Sequence, residues 1–93
     1  MEQKFIAALK EMREEALKLG ARIRPVEEDK ALQMAHRTLS GHRESEGFGV
    51  LAEKGRLDLS LEALAIDKRF TALFSDEEAN EALNRLLDAG YHF

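Results

Sequence analysis

Apolar residues recur at helical spacing at both ends of this chain, and this periodicity constrains the fold more than any other feature. Near the N-terminus they follow one another at intervals of four and three residues, at Phe5, Leu9, Met12, Ala16 and Leu19. Residues spaced in this way lie on one face of an α-helix. The pattern predicts a first helix over residues 2–19, and Gly20 would end it because glycine readily adopts the left-handed conformation that closes helices.

The best-marked helix boundaries lie near the C-terminus. Residues 75–78 read Ser-Asp-Glu-Glu, a capping box with Ser75 at the N-cap and Glu78 at the third helical position. Gly90 is the expected stop, and Tyr91 could fold back on Leu86 in a Schellman arrangement. Between these signals the predicted buried stripe consists of Ala79, Ala82, Leu83, Leu86 and Leu87.

A second helix is predicted from Pro25 onward, which would form an antiparallel hairpin with the first. Proline suits the first turn of a helix, and the acidic residues 27–29 would lie near the positive end of the helix dipole. Its apolar stripe would be Leu32, Ala35 and Leu39. Two ends are possible, near Ser40 or as far as Glu46, since one glycine costs only about 1 kcal/mol within a helix.

Shorter helices are predicted for the remainder of the chain. One would cover residues 48–54, with Gly55 as its stop. Leucines at 57, 59 and 61 alternate with polar residues, which is typical of a strand, but no partner strand is evident. We therefore expect an extended segment leading into a helix over residues 61–66 that Ser60 caps, and a further short helix from Asp67 to about Phe74.

These elements predict an all-α fold, a small helical bundle formed by residues 1–93 as a single domain, with an N-terminal hairpin followed by shorter helices. A chain of 93 residues buries only about 60–65% of its unfolded surface, and it has no cysteine with which to form a disulfide. Self-association would add burial. The face of the first helix is either core or an interface between copies, and for the interface we select Phe5, Ile6, Leu9, Met12 and Leu17.

Positive charge gathers in one region of an acidic protein. The formal net charge is −4, which disfavours a general binder of nucleic acid or anionic membranes. Residues 20–43 nevertheless carry a net charge of +2. Arginine favours carboxylate or phosphate recognition because its planar guanidinium forms two parallel hydrogen bonds. The predicted partner-binding residues are Arg22, Arg24, Lys30, Arg37 and Arg43, and the alternative is an ordinary solvated surface.

No motif in the sequence identifies a catalytic or cofactor site. His36 and His42 are six positions apart, which does not place two metal ligands on one helix face. His42 and Glu46 could share a metal only if a third ligand came from elsewhere. Residues 57–90 could suggest a helix-turn-helix DNA reader, but the last helix is strongly acidic, which counts against it. We therefore expect no catalytic residues, no metal and no cofactor.

The sequence thus favours a small non-enzymatic adaptor or regulator that acts through protein–protein contacts, as a homo-oligomer, on a partner with an acidic surface. The alternative is a binder of an anionic ligand, either nucleic acid or a nucleotide, through the arginine-rich region 22–43. No apolar run approaches the ~20 residues that cross a bilayer, and the N-terminus has no signal-peptide core. We expect no membrane partner, and a cytoplasmic location is the default expectation.

Overall fold

Five α-helices and two short 3₁₀-helices form the regular structure of the computed structural model, which describes residues 2–41 and 43–91. No strand occurs among these residues, so the predicted all-α bundle is confirmed. The N-terminal hairpin and the shorter helices after it are also present. The α-helices are α1 (Glu2–Lys18), α2 (Ala31–Ser40), α3 (Phe48–Glu53), α4 (Leu61–Ala65) and α5 (Asp76–Asp88), and the 3₁₀-helices are Leu57–Leu59 and Thr71–Leu73.

The boundaries of α5 follow the local sequence signals. The Ser75 hydroxyl accepts a hydrogen bond from the Glu78 backbone N–H at 3.1 Å, and the Glu78 carboxylate accepts one from the Ser75 N–H at 2.9 Å. At the other end Gly90 has a φ of 84°, and the Tyr91 N–H donates to the Leu86 carbonyl at 2.9 Å. These bonds confirm the capping box and the Schellman arrangement, in which neighbouring residues satisfy the unpaired groups at each helix end.

The second helix begins later than was predicted from Pro25 and the acidic residues that follow it. Its first residue is Ala31, so the expectation that Pro25 lies in its first turn is wrong. The Glu27 backbone carbonyl accepts a hydrogen bond from the Lys30 N–H at 3.0 Å, and this bond closes a turn ahead of the helix. The helix ends at Ser40, which decides between its two possible ends.

The connector between α1 and α2 is held by bonds to α1, and these bonds explain the late start of α2. The Arg13 side chain donates hydrogen bonds to the carbonyls of Ile23 and Arg24, at 3.0 and 2.9 Å. Lys10 on α1 forms an ion pair with Glu28. Tertiary contacts therefore keep this segment out of a helix despite its favourable local sequence.

The leucine alternation reflects burial and not a strand. Leu57 and Leu59 lie in a 3₁₀-helix, so the predicted extended segment is wrong, although all three leucines are buried. Ser60 caps α4 as predicted, because its hydroxyl accepts a bond from the Ala63 N–H at 3.2 Å. The short helix expected after Asp67 is a 3₁₀-helix that begins only at Thr71, and the Asp67 side chain instead accepts a hydrogen bond from the Arg69 N–H in the turn before it.

The core consists of two buried clusters. In the first, the ring of Phe5 packs edge-on against Phe70 and Phe74, with centroids 5.5 and 5.6 Å apart. The second surrounds Phe48 and includes residues of α1, α3 and α5. Met12 of α1 packs against both clusters, so the helix that anchors the connector is itself held by the whole core.

Candidate binding groove

A groove of about 620 Å³ lies between α1, the connector and α2, and the first 3₁₀-helix and the start of α4 contribute to its lining. This volume is within the range of ordinary ligand sites. The groove has an apolar floor, to which large side chains from several elements contribute: Leu9, Met12, Ile23, Met34, Leu59 and Leu61. Met34 is 38% exposed, which is unusual for a large apolar residue in this chain.

Charged residues border this floor, and cations outnumber carboxylates among them. The charged lining residues are Arg13, Arg24, Glu27, Lys30, Arg37 and Glu46. Arg13 is committed to the connector through its bonds to backbone carbonyls. We call the remaining cations, Arg24, Lys30 and Arg37, the basic rim.

The members of the basic rim differ in how firmly they are paired. Arg24 lies 3.5 Å from Glu46, and Lys30 lies 3.7 Å from Glu27, and all four side chains are at least half exposed. Such ion pairs contribute little to stability because water screens them. Arg37 makes no side-chain hydrogen bond or ion pair with any residue of 2–41 or 43–91. Among the described residues, the rim therefore has one cation without a partner and two that are weakly paired.

Helical geometry places two rim cations on one face of α2. Lys30 precedes the helix as its N-cap, and Met34 and Arg37 follow four and seven positions later. Residues at these spacings share a face, and all three line the groove. The opposite face carries Ala35 and Leu39, which are buried in the core. The amphipathic character of α2 thus turns its basic residues towards the groove.

The structure brings together three of the five residues selected from the sequence as partner-binding. Arg24, Lys30 and Arg37 form the basic rim. Arg22 is exposed on the connector but does not line the groove. Arg43 lines a second cavity, of about 630 Å³, near α3 and α5. The apolar floor was not foreseen, because its residues come from segments that are distant in the sequence.

A buried polar network next to the second cavity also escaped sequence reasoning. Glu62 on α4 is fully buried, with 0% exposure, and Arg85 on α5 is 6% exposed. The Glu62 carboxylate accepts hydrogen bonds from the Ser45 N–H at 2.9 Å and the Ser45 hydroxyl at 2.5 Å. It also pairs with an Nη of Arg85 at 3.3 Å. The sequence around each residue showed only that Glu62 and Arg85 lie among the apolar residues of predicted helices.

Arg85 donates further bonds within α5 and to the end of α2. Its Nε donates to Glu81 at 2.7 Å, and one Nη donates to the carbonyls of Thr38 and Gly41 at 3.2 and 2.9 Å. The two carbonyls belong to the end of α2, where helix carbonyls have no partner within the helix. Every buried side-chain nitrogen and oxygen of the described residues has a partner. This network therefore connects α2, α4 and α5.

A third polar contact joins α2 to the start of α5. His36 Nδ1 lies 2.5 Å from the Glu78 carboxylate, and its ring packs against Phe74 with centroids 5.3 Å apart. Burial raises the pKa of Glu78, but the Ser75 N–H and His36 outweigh it, so that this pKa lies below its usual value. His36 therefore has a defined structural contact between α2 and α5.

The residues selected for self-association occupy three different environments. Phe5 and Leu9 are buried in the chain's own core, and Ile6 and Met12 are half-buried against it. Leu17 is 40% exposed. Of these residues only Leu17 presents a large part of its side chain to solvent. An interface on α1 would therefore depend mainly on Leu17.

The described residues contain neither a metal-binding cluster nor a membrane-spanning helix. Within residues 2–41 and 43–91, no group of three His, Cys, Asp or Glu side chains is arranged to hold a metal ion. His42, one of the two ligands considered from the sequence, lies outside the described residues. Over the same part of the chain, no helix has the length and apolar character required to span a bilayer.

Comparison with known proteins adds no relative to this description: no protein-family model, no curated protein and no solved structure matches the chain.

Proposed function

We propose that this chain is a small non-enzymatic adaptor or regulator, and that the groove beside α2 binds an acidic part of a partner protein. One observation carries the proposal: three cations border an apolar floor, and one of them, Arg37, pairs with no carboxylate of the described residues. An arginine of this kind can form charge-assisted bonds with a carboxylate at little cost to the fold. A solvated basic surface would not need an apolar floor.

An anionic ligand such as nucleic acid or a nucleotide is the second candidate, because the same cations would suit phosphate. The lining of the groove favours the protein partner. No aromatic ring of the described residues lines it, and single-stranded nucleic acid is commonly held by bases stacked on such rings. The net charge of −4 would also oppose a polyanion at long range.

The test is a comparison of two double variants in pull-downs from the native host. Arg24→Glu with Arg37→Glu reverses two rim charges. Arg22→Glu with Lys68→Glu makes the same change in net charge at two exposed positions outside the groove. We expect the wild type and the second variant to capture a partner that the first one loses, with similar melting temperatures. Retention of all partners by the first variant would contradict the proposal.

Titration of the wild-type protein with short nucleic acids at low and moderate salt separates the two candidates. Binding to phosphates releases counterions, so that a nucleic-acid complex weakens steeply as salt rises. Tight binding with such a slope would favour the anionic-ligand function. Weak binding of nucleic acid, together with capture of a protein whose binding falls less steeply with salt, would favour the adaptor.

A further inference from the structure

We infer that the groove accepts a short segment in which one large apolar side chain lies between carboxylates, and that Glu27 and Glu46 compete with that segment for the basic rim. This inference rests on the proposed function and specifies the chemistry of the bound element. It follows from the floor of the groove, from the spacing of its cations and from the pairs that these cations form in the free protein.

The floor indicates the apolar part of the segment. Met34 is 38% exposed on the groove face of α2, and Met12 is half-buried across the groove. Both methionines of the described residues, Met12 and Met34, therefore line this site. Methionine side chains are flexible and polarizable, and they adapt to apolar partners of different shape. A single large apolar side chain from a partner would cover Met34 and remove it from water.

The spacing of cations on α2 indicates where the carboxylates belong. Lys30 and Arg37 are seven positions apart, which corresponds to about 10 Å along a helix axis. Met34 lies between them on the same face. A segment with two carboxylates about 10 Å apart and an apolar side chain between them therefore matches this face in both charge and hydrophobicity.

The two carboxylates of the rim occupy the remaining cations in the free protein. Glu46 lies 3.5 Å from Arg24, and Glu27 lies 3.7 Å from Lys30. The exposed fractions are 87% and 51% for the first pair and 66% for each partner of the second, so water screens both pairs. An incoming carboxylate can replace either glutamate without disturbing the core. Removal of a competing glutamate should accordingly tighten binding.

The experiment uses the full chain and a displayed library of random peptides about twelve residues long. Enriched peptides are synthesised with a fluorophore, and their affinities are measured by polarization. We expect the enriched sequences to carry a large apolar residue flanked by Asp or Glu. Replacement of that apolar residue by Ser should weaken binding about tenfold, because its burial on the floor is lost.

Three variants test the roles of individual side chains against the best peptide. Arg37→Gln should weaken binding about tenfold, since one charge-assisted contact is lost. Glu46→Gln should tighten binding about twofold to fivefold, because Arg24 loses its competing partner. Glu53→Gln removes an equal charge from an exposed position outside the groove and should change the affinity much less. A purely structural role for Glu46 would weaken binding and would overturn the competition.

Other outcomes overturn the inference in distinguishable ways. Enrichment of peptides without acidic residues would show that the occupant has different chemistry. The same conclusion would follow if an oligonucleotide, or the fatty acid dodecanoate, bound more tightly than any peptide. Absence of any enriched peptide would also overturn it. If the Arg24→Glu and Arg37→Glu double variant nevertheless lost the host partner in pull-downs, the adaptor function would stand. The partner would then bind through a folded acidic surface.

Discussion

Arg85 and Arg37 are the same residue type on two neighbouring helices, and they differ in burial and in pairing. Arg85 is buried and bonded to Glu62, Glu81 and two carbonyls at the end of α2. Arg37 is exposed on the groove face of α2 and makes no side-chain bond with the described residues. Each nitrogen of the first guanidinium is bonded within the fold, and the second is the one that we propose binds a partner. Burial and pairing thus distinguish an arginine that holds the fold together from one that is exposed on its surface.

The largest expected effect is the loss of the buried pair. Arg85→Met would leave the Glu62 carboxylate buried without its cation and two helix carbonyls without their donor. Loss of one partner from a buried pair typically costs about 3–5 kcal/mol. Chemical denaturation should therefore show a loss of this size.

Adding Glu62→Gln to Arg85→Met should recover part of that stability, because no buried charge would then remain unpaired. A loss below about 1 kcal/mol in the single variant would show that Arg85 contributes no more than a surface residue, and the contrast with Arg37 would fail.

The contact between His36 and Glu78 is an intermediate case, because it is only partly buried. Glu78→Gln keeps a capping side chain at the third helical position but removes the charge. We expect a loss below about 1 kcal/mol at neutral pH. Since the folded-state pKa of Glu78 is lowered, its contribution is present above the ordinary value of 4.5 and disappears as the pH falls through the folded-state value.

The measurement for Glu78 is the unfolding free energy of both proteins between neutral and acidic pH. The two stability curves should converge in acid. A difference that stays constant at all pH values would mean that the lost stability is not electrostatic.

Substitution of Leu17 tests whether an exposed apolar side chain forms an interface between copies, as Arg37 is proposed to bind a partner. Leu17→Glu should leave the helical circular dichroism spectrum unchanged, since the side chain is 40% exposed. If copies associate through α1, light scattering should give a mass above 10.5 kDa for the wild type and a lower mass for the variant. Ala7→Glu, at another exposed position of α1, is the control. A wild-type monomer at tens of micromolar would contradict self-association.

The smallest effect on stability is expected at Arg37. Arg37→Met repeats the substitution made at Arg85, but at an exposed side chain without a partner in the described residues. Its unfolding free energy should lie within about 0.5 kcal/mol of the wild type. A loss comparable to that of Arg85→Met would mean that Arg37 serves the fold and would remove the main support for the groove.

Sequence reasoning succeeded where a signal and its consequence lie within a few residues. The capping box, the stop at Gly90 and the cap at Ser60 all depend on hydrogen bonds between near neighbours. It was wrong for the start of α2, where bonds from Arg13 and Lys10 hold the connector against a favourable local sequence. For the candidate site, it selected three rim cations together with two arginines that lie outside the groove.

The sequence by itself determined the helical class, the ends of α5 and the apolar faces, because capping and periodicity act over one or two turns. Only the tertiary structure decided which charges are buried and which remain open. Glu62 meets Ser45 across 17 positions and Arg85 across 23, and Arg85 reaches Gly41 across 44. No local pattern encodes such distances, because a charge is paired or unpaired according to which segments the core brings together.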